Sequence, residues 1–376
     1  MIEISEVTTA AERAEFIRFP WRIYTHDPAW VPPLILERKE FLNPQKHPFY
    51  KHGAAALFLA RRGGELVGRI MASDDPHYNA LHQSNIGCFG LFESINDSAV
   101  AHALFDRAAA WLRARGRSEI MGPIDYSTNY TCGLLVEGFQ HPPTLLNSHN
   151  PPYYPPLIES DGFTKAMDLY AWWLADPARA VQRLRRFASA LKNRQLPTIR
   201  PANLQQVGAE SRRLREIYNE AWENNWGYVP FTPEEFAYMT KELKPLVTPE
   251  LVLIAEINGE AAGFLLCVPD LNQALRHVPH GRLTTFGLPI GLLKLLYHKR
   301  RVNRVRLVAL GVVPKFRRSG VAEMLVLRII EFAMLQKGYA GEASLVLENN
   351  HLMNRFMAAI GADRYKTYRI YRRALG

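Results

Sequence analysis

Cysteine is scarce: the 376 residues hold three, Cys88, Cys132 and Cys267, odd in number and far apart. They form neither a disulfide framework nor a metal-ligand spacing, and as small buried hydrophobes they fit a reducing cytoplasm. Long hydrophobic runs are missing too. No stretch reaches the roughly 18 uninterrupted apolar residues of a membrane span. Met1 to Phe16 carries Glu3, Glu6, Glu12 and Glu15 and lacks the apolar stretch of a secretion signal. Acidic residues are absent from one window: Arg276 to Arg306 contains eight Lys and Arg but no Asp or Glu, most of the excess behind the net charge of +10. What is present, 48% apolar and 22% charged residues, is ordinary globular composition. At about 100–200 residues per domain the length predicts two domains.

The two halves share a grammar. Leu57–Ala60 runs through Arg62-Gly63-Gly64-Glu65 into Leu66–Ile70, and Leu251–Ala255 runs through Asn258-Gly259 into Glu260–Leu266. Each reads as strand, tight turn, strand. In the first half there follow a strand at Gly87–Phe92 and a helix at Ala99–Arg115, with Val100, Leu104, Ala108, Trp111 and Leu112 on one face and Gly116 as its stop. Tyr154–Ser160 and Leu169–Leu174 close that half. The second half continues with a strand at Arg306–Val313, a helix from Val321 to about Lys337 stopped by Gly338, a strand at Ala343–Leu347, a helix from Asn350 to Ile360, and a strand at Tyr365–Tyr371. The pattern predicts a mixed α/β protein of two tandem domains, 1–195 and 196–376, each a mixed central sheet flanked by helices. The boundary is expected after the basic helix Ala178–Asn193, near Gln195-Leu196-Pro197.

The segment that carries chemistry is Leu310-Gly311-Val312-Val313-Pro314-Lys315-Phe316-Arg317-Arg318-Ser319-Gly320-Val321-Ala322. A strand ends, a helix begins, and small residues stand at the junction. An anion can approach the backbone N–H groups there, where the helix dipole favours negative charge and Lys315, Arg317 and Arg318 add positive charge. This is a diphosphate cradle. The Gly-Lys-Ser/Thr of a P-loop and the three spaced glycines of a dinucleotide fold are both missing.

The segment resembles the acyl-CoA motif of the GCN5-related N-acetyltransferase (GNAT) superfamily, Arg/Gln-x-x-Gly-x-Gly/Ala after Val-x-Pro, with Arg317, Gly320 and Ala322 at its defining positions. Asn350 and Gly361 fit the family's downstream spacing, while Met357 stands where its tyrosine would be. The match covers about 306–371 and extends to the hairpin at Leu251–Leu266. The first half has the element order without the loop and resembles a degenerate copy that does not bind CoA. The resemblance implies acyl-CoA or acetyl-CoA as co-substrate, held by Val312, Val313, Lys315, Phe316, Arg317, Arg318, Ser319, Gly320, Val321, Ala322, Asn350 and Asn354. Main-chain N–H groups near Val312 and Val313 would polarise the thioester carbonyl. An amine attacks directly, and a carboxylate takes its proton. Glu220, Asp270 and Glu348 are the candidate bases. Without a tyrosine at Met357 the leaving thiolate lacks its usual acid, which a thiol pKa of about 8.5 makes survivable; Tyr365 and Tyr368 are substitutes, or strand packing residues. No metal is expected, and His47, His52, His77 and His82 read as scattered loop residues.

The aromatic, Asn-rich turn with Asn225, Trp226 and Tyr228, together with Asn272 and Asn129, forms the expected acceptor-binding set. Phe286–Tyr297 followed by His298-Lys299-Arg300-Arg301 places an apolar stretch beside a basic cluster. It reads either as an interfacial element on an anionic membrane, over 283–301 at the inner face, or as a buried helix with a solvated basic end. With such an element the overall segment pattern is also similar to that of bacterial ceramide synthases, superfamily members that N-acylate a sphingoid base. The expected activity is acyl-CoA-dependent N-acylation, with a lipid amine as favoured acceptor. The alternatives are acetylation of a small polar amine, amino acid or protein, and a non-catalytic nucleic-acid-binding module. The last is disfavoured, because the basic residues flank aliphatic rather than stacking aromatic side chains.

Overall fold

A computed structural model describes residues 1–190, 196–336 and 340–376. The expected end of the basic helix at Asn193, the boundary at Gln195 and the helix stop at Gly338 lie outside the described residues. Contacts divide the chain into two compact units: Met1–Leu169 with Asn272–Arg300 and Lys366–Gly376, and Tyr170–Leu271 with Arg301–Tyr365. These units are not contiguous halves, and their limits fall within the two closing strands and around the basic window.

In the first unit β1 (Ile2–Glu6), β2 (Ala54–Arg62), β3 (Glu65–Asp74) and β4 (Ile86–Ser94) pair antiparallel in sequence order. β5 (Glu119–Gly122) runs parallel to β4, as a crossover through the helix Ser98–Arg113 requires. That helix starts at Asp97, whose carboxylate accepts the Ala99 and Val100 amides. The expected face, Val100, Leu104, Ala108, Trp111 and Leu112, is buried in the core. β6 (Leu134–Glu137) is the last strand introduced within this unit alone.

In the second unit the order is β7, β12, β11, β10, β9, β8, where β7 is Thr164–Leu174, β8 Thr198–Pro201, β9 Val252–Ile257, β10 Glu260–Pro269, β11 Arg304–Val312 and β12 Ala340–Leu347. The β9–β10 turn has Asn258 and Gly259 at φ 55° and 76°, the left-handed pair that a tight two-residue hairpin demands. The helix Pro177–Ala190 buries Ala180, Val181 and Leu184 in this unit's core, and Arg185 donates to Glu331 on the helix Val321–Leu335 at 2.6 Å.

β13 (Asp363–Ala374) is the chain's last strand, and its end, Tyr371–Ala374, pairs with β5 in the first unit. The first half's own closing strand, β7, contributes Tyr170–Leu174 to the second unit. Each unit is thus finished by a strand from the other half of the sequence.

The basic window belongs to the first unit as far as Arg300. Trp21 Nε1 donates to the Pro279 carbonyl at 2.6 Å, the Ile35 amide to the Gly281 carbonyl at 2.9 Å, and the Asn272 amide side chain to the Pro143 carbonyl at 2.9 Å. On the helix Ile290–Lys299 only Gly291 and Leu295 are buried. Leu288, Leu293, Leu296 and Tyr297 are half exposed or more, and Phe286, at the tip of the turn Thr285–Leu288, is 97% exposed. Of the two sequence readings, the buried helix is the one this arrangement does not match. Among the described residues no helix is long and apolar enough to cross a membrane.

Candidate active site

The site is built where two parallel strands part. β11 and β12 pair from Arg304↔Ala340 to Leu307↔Ala343 and no further, although β11 continues to Val312 and β12 to Leu347. On its other edge β11 stays paired with β10 up to Gly263↔Val312, with Val308 as an extra residue between the partners of Leu266 and Cys267. Such a bulge bends and twists its strand, and here it coincides with the point of parting.

The Val313 amide donates to the Ala262 carbonyl at 3.0 Å. Backbone groups alternate direction along an antiparallel strand, so the Leu310 and Val312 amides face away from β10, into the gap. Of the two amides expected to polarise a carbonyl, Val312 is directed there and Val313 is engaged elsewhere.

Beyond β11, Pro314–Phe316 forms one helical turn, closed by the Phe316 amide on the Val313 carbonyl at 2.8 Å. Gly320 caps the helix Val321–Leu335 at φ 74° and supplies no side chain to its first-turn amides. The N–H groups that open a helix have no intrahelical acceptor, so a row of donors and the positive end of the dipole stand at this junction. Phe316 and Val321 are buried in the core and shape the turn from below. Arg317 donates to the Ala221 carbonyl at 3.0 Å, fastening the loop to the end of the helix Val207–Trp222. Lys315 pairs with Glu260 at 2.6 Å, an exposed contact of little energetic weight. Arg318 is exposed and Ser319 and Ala322 half-buried.

Asn350 caps the helix His351–Ile360 by accepting the Met353 amide at 3.1 Å. Asn354 donates to the Leu347 carbonyl at 2.9 Å and accepts from Trp172 Nε1 at 3.1 Å. Met357 is in the core. Glu348 lines an open cleft of about 610 Å³ with Tyr170, Trp172, His351, Asn354, Arg355 and Arg364. The other candidate bases are elsewhere: Glu220 is exposed on its helix, and Asp270 is buried at the end of β10, its amide donating to the Arg304 carbonyl at 2.9 Å. Asn225, Trp226 and Tyr228 belong to the second unit, where burial pushes the Tyr228 hydroxyl up to about 12. Asn129 and Asn272 belong to the first.

Sequence reasoning passed over the polar chain at the parting itself. Arg306 and Glu342 face each other in the β11–β12 register, and both are buried with Ser344. Arg306 Nε donates to Ser344 Oγ at 2.9 Å and its Nη2 to the Ser344 carbonyl at 3.2 Å. The Ser344 hydroxyl donates to one Glu342 oxygen and the Tyr365 hydroxyl to the other. A buried charge is tolerated only when its hydrogen-bonding capacity is met; here Ser344 and Tyr365 donate to Glu342, and Ser344 accepts from Arg306. The signal available in the sequence was Arg306, on the alternating Arg304-Val305-Arg306 of one strand, and Glu342, the one charged residue of the other.

The chain belongs to the GNAT superfamily as an N-acyltransferase, and that fold implies acyl-CoA or acetyl-CoA as co-substrate. The family model described as acetyltransferase (GNAT) family matches residues 211–362. Two similar proteins are the Escherichia coli protein YghO, 38% identical over 96% of this chain and 92% of its own, and the bacterial ceramide synthase of Caulobacter vibrioides, 37% identical over 100% of this chain and 98% of its own. The fold matches a tandem GNAT protein from the clavulanic acid biosynthesis pathway, with TM-score 0.55, 12% identity and coverage of 100% and 99% of the two chains. It also matches a GCN5-related N-acetyltransferase from Sphaerobacter thermophilus, with TM-score 0.54, 14% identity and coverage of 100% and 96%.

Proposed function

We propose that this N-acyltransferase uses long-chain acyl-CoA to acylate a lipid amine, with a sphingoid base as the favoured acceptor. The carrying observation is the exposed apolar surface of the basic window. Phe286, Leu288, Leu293, Leu296 and Tyr297 are turned to solvent beside Arg282, Lys294, Lys299 and Arg300, with no acid between Arg276 and Arg306. An apolar face with a cationic rim is suited to the headgroup boundary of an anionic bilayer, where both substrates of a lipid amidation reside. The relative named as a bacterial ceramide synthase, similar over the whole chain, supports the same acceptor.

In this reading the first-turn amides at Val321 and Ala322, with Arg318, hold the diphosphate, and the thioester lies in the gap. The free amine attacks the carbonyl carbon, and the oxyanion accepts the Val312 N–H, where a well-placed donor is worth about 3–4 kcal/mol. The C–S bond breaks as the amide forms, and the thiolate leaves. The Tyr365 hydroxyl, hydrogen-bonded to Glu342, gives its proton to the thiolate and takes in exchange the second proton of the amide nitrogen. Glu348, at the open cleft, takes the proton of the incoming ammonium.

Co-sedimentation with anionic vesicles tests the surface. The Leu293→Ser/Leu296→Ser variant, and neutralisation of Lys299, Arg300 and Arg301, should each weaken binding in low salt. Unchanged binding in both would remove the membrane part of the proposal.

A further inference from the structure

Remote from the acyl-CoA motif in sequence, the first unit gathers three metal-binding side chains at one end of the β2–β3 hairpin. Ala54 opens β2 and pairs with Asp74, which ends β3. His52 lies two residues before the one, Asp75 directly after the other, and His77 two residues further on. One ligand atom from each of His52, Asp75 and His77 lies within 4.8 Å of the others. The His52 Nδ1 to Asp75 Oδ1 distance is 3.5 Å, and the two imidazoles stack with centroids 4.2 Å apart.

The second observation concerns Asp75 alone. It is 4% exposed. Its Oδ1 accepts the His77 amide at 3.0 Å and so caps the helix Pro76–His82. Its Oδ2 is buried and accepts no hydrogen bond among the described residues. A carboxylate oxygen left bare in the interior is costly, and the group best able to satisfy it is a cation. Neighbouring Asp74 has its own cation, Arg117, at 2.9 Å.

We propose that the first unit binds a divalent transition-metal ion of the zinc class through His52, Asp75 and His77. Two imidazoles and one carboxylate suit zinc, cobalt or nickel rather than the all-oxygen shells of calcium or magnesium. The exposed His77 ring gives the ion an entry path from solvent and leaves outward positions to water. The stacked rings need to swing about χ2 for their nitrogens to converge on one centre, a broad and soft torsion for histidine. Because His52 and Asp75 flank the same end of the hairpin, the ion would staple the chain entering β2 to the chain leaving β3. The site serves the stability of the unit and takes no part in acyl transfer.

The test uses the full chain, stripped with chelator and titrated with cobalt(II), then with zinc as competitor. The expected result is one ion per chain, a visible cobalt d–d spectrum bleached by zinc, and a zinc-dependent rise in melting temperature. His77→Ala, on the exposed member, should weaken binding at least tenfold and abolish the melting shift, while CoA affinity stays unchanged. Asp75→Asn keeps the helix cap and should weaken the metal likewise. Absence of a cobalt spectrum in the unaltered protein, or a zinc shift that survives His77→Ala, would overturn the assignment.

Discussion

A methyl group on Gly311 would sit 2.3 Å from the indole of Trp222. The bare Cα of Gly311 therefore lets the last turn of the helix Val207–Trp222 lie directly on β11, one residue before the amide that faces the gap. Arg317 fixes the same turn from the other side through the Ala221 carbonyl. Gly311→Ala should cost about 1–3 kcal/mol by overpacking and lower turnover by displacing β11. Urea melts paired with initial rates check it, and an unchanged midpoint would show that Trp222 moves aside freely.

Gly320 holds φ 74° at the mouth of the cradle. Gly320→Glu adds a carboxylate where the diphosphate is expected and should abolish CoA binding in calorimetry. Gly320→Asn controls for the backbone, because asparagine visits the left-handed region readily. It should fold and keep most of the affinity. Full CoA affinity in the glutamate variant would refute the cradle.

Tyr365 and Glu342 separate by substitution. Tyr365→Phe removes one hydrogen bond, about 1 kcal/mol, and should lower kcat by about 100-fold or more if the hydroxyl returns the proton, with acyl-CoA affinity intact. Glu342→Gln keeps the size but weakens the acceptor of two hydrogen bonds, from Ser344 and Tyr365, and should destabilise by about 1–3 kcal/mol. A Tyr365→Phe enzyme with normal kcat would leave the pair a purely structural role.

Asp125 in the first unit carries a pH signature. Burial raises its carboxyl from 3.8 to about 6, outweighing the Arg38 charge and the Leu91 amide that favour ionisation. The folded chain then holds this proton across a range where the unfolded chain has lost it. The stability it contributes is full below about pH 4 and disappears as pH rises through 6, a change of up to about 3 kcal/mol. Asp125→Asn should flatten that part of a stability–pH curve, to which Glu93 and Asp161, also raised by burial, add slope of the same sign. An unchanged slope would show that the shift is absent.

Local signals were legible because local chemistry fixed them. Asn258-Gly259 specifies its hairpin, and the small residues at Gly320 and Ala322 mark a helix opening that an anion can approach. The exchange of β7 and β13 between units was not legible, since side-chain alternation tells a strand which face is buried and not which neighbour it pairs with. Glu342 escaped notice because the register sets it opposite position 306 and its hydrogen bonds come from positions 344 and 365. His52 and His77 looked scattered for the same reason: the β2–β3 register, not their spacing, brings them together. The apolar run at 286–297 was ambiguous because a short apolar helix reads alike whether buried or exposed.

The most direct measurement of the central claim is mass spectrometry of the product formed from palmitoyl-CoA or acetyl-CoA, each offered with a sphingoid base and with a mixture of small polar amines. The account predicts a long-chain amide of the sphingoid base as the dominant product. Acetylation of a small amine, with no long-chain amide formed, would contradict it.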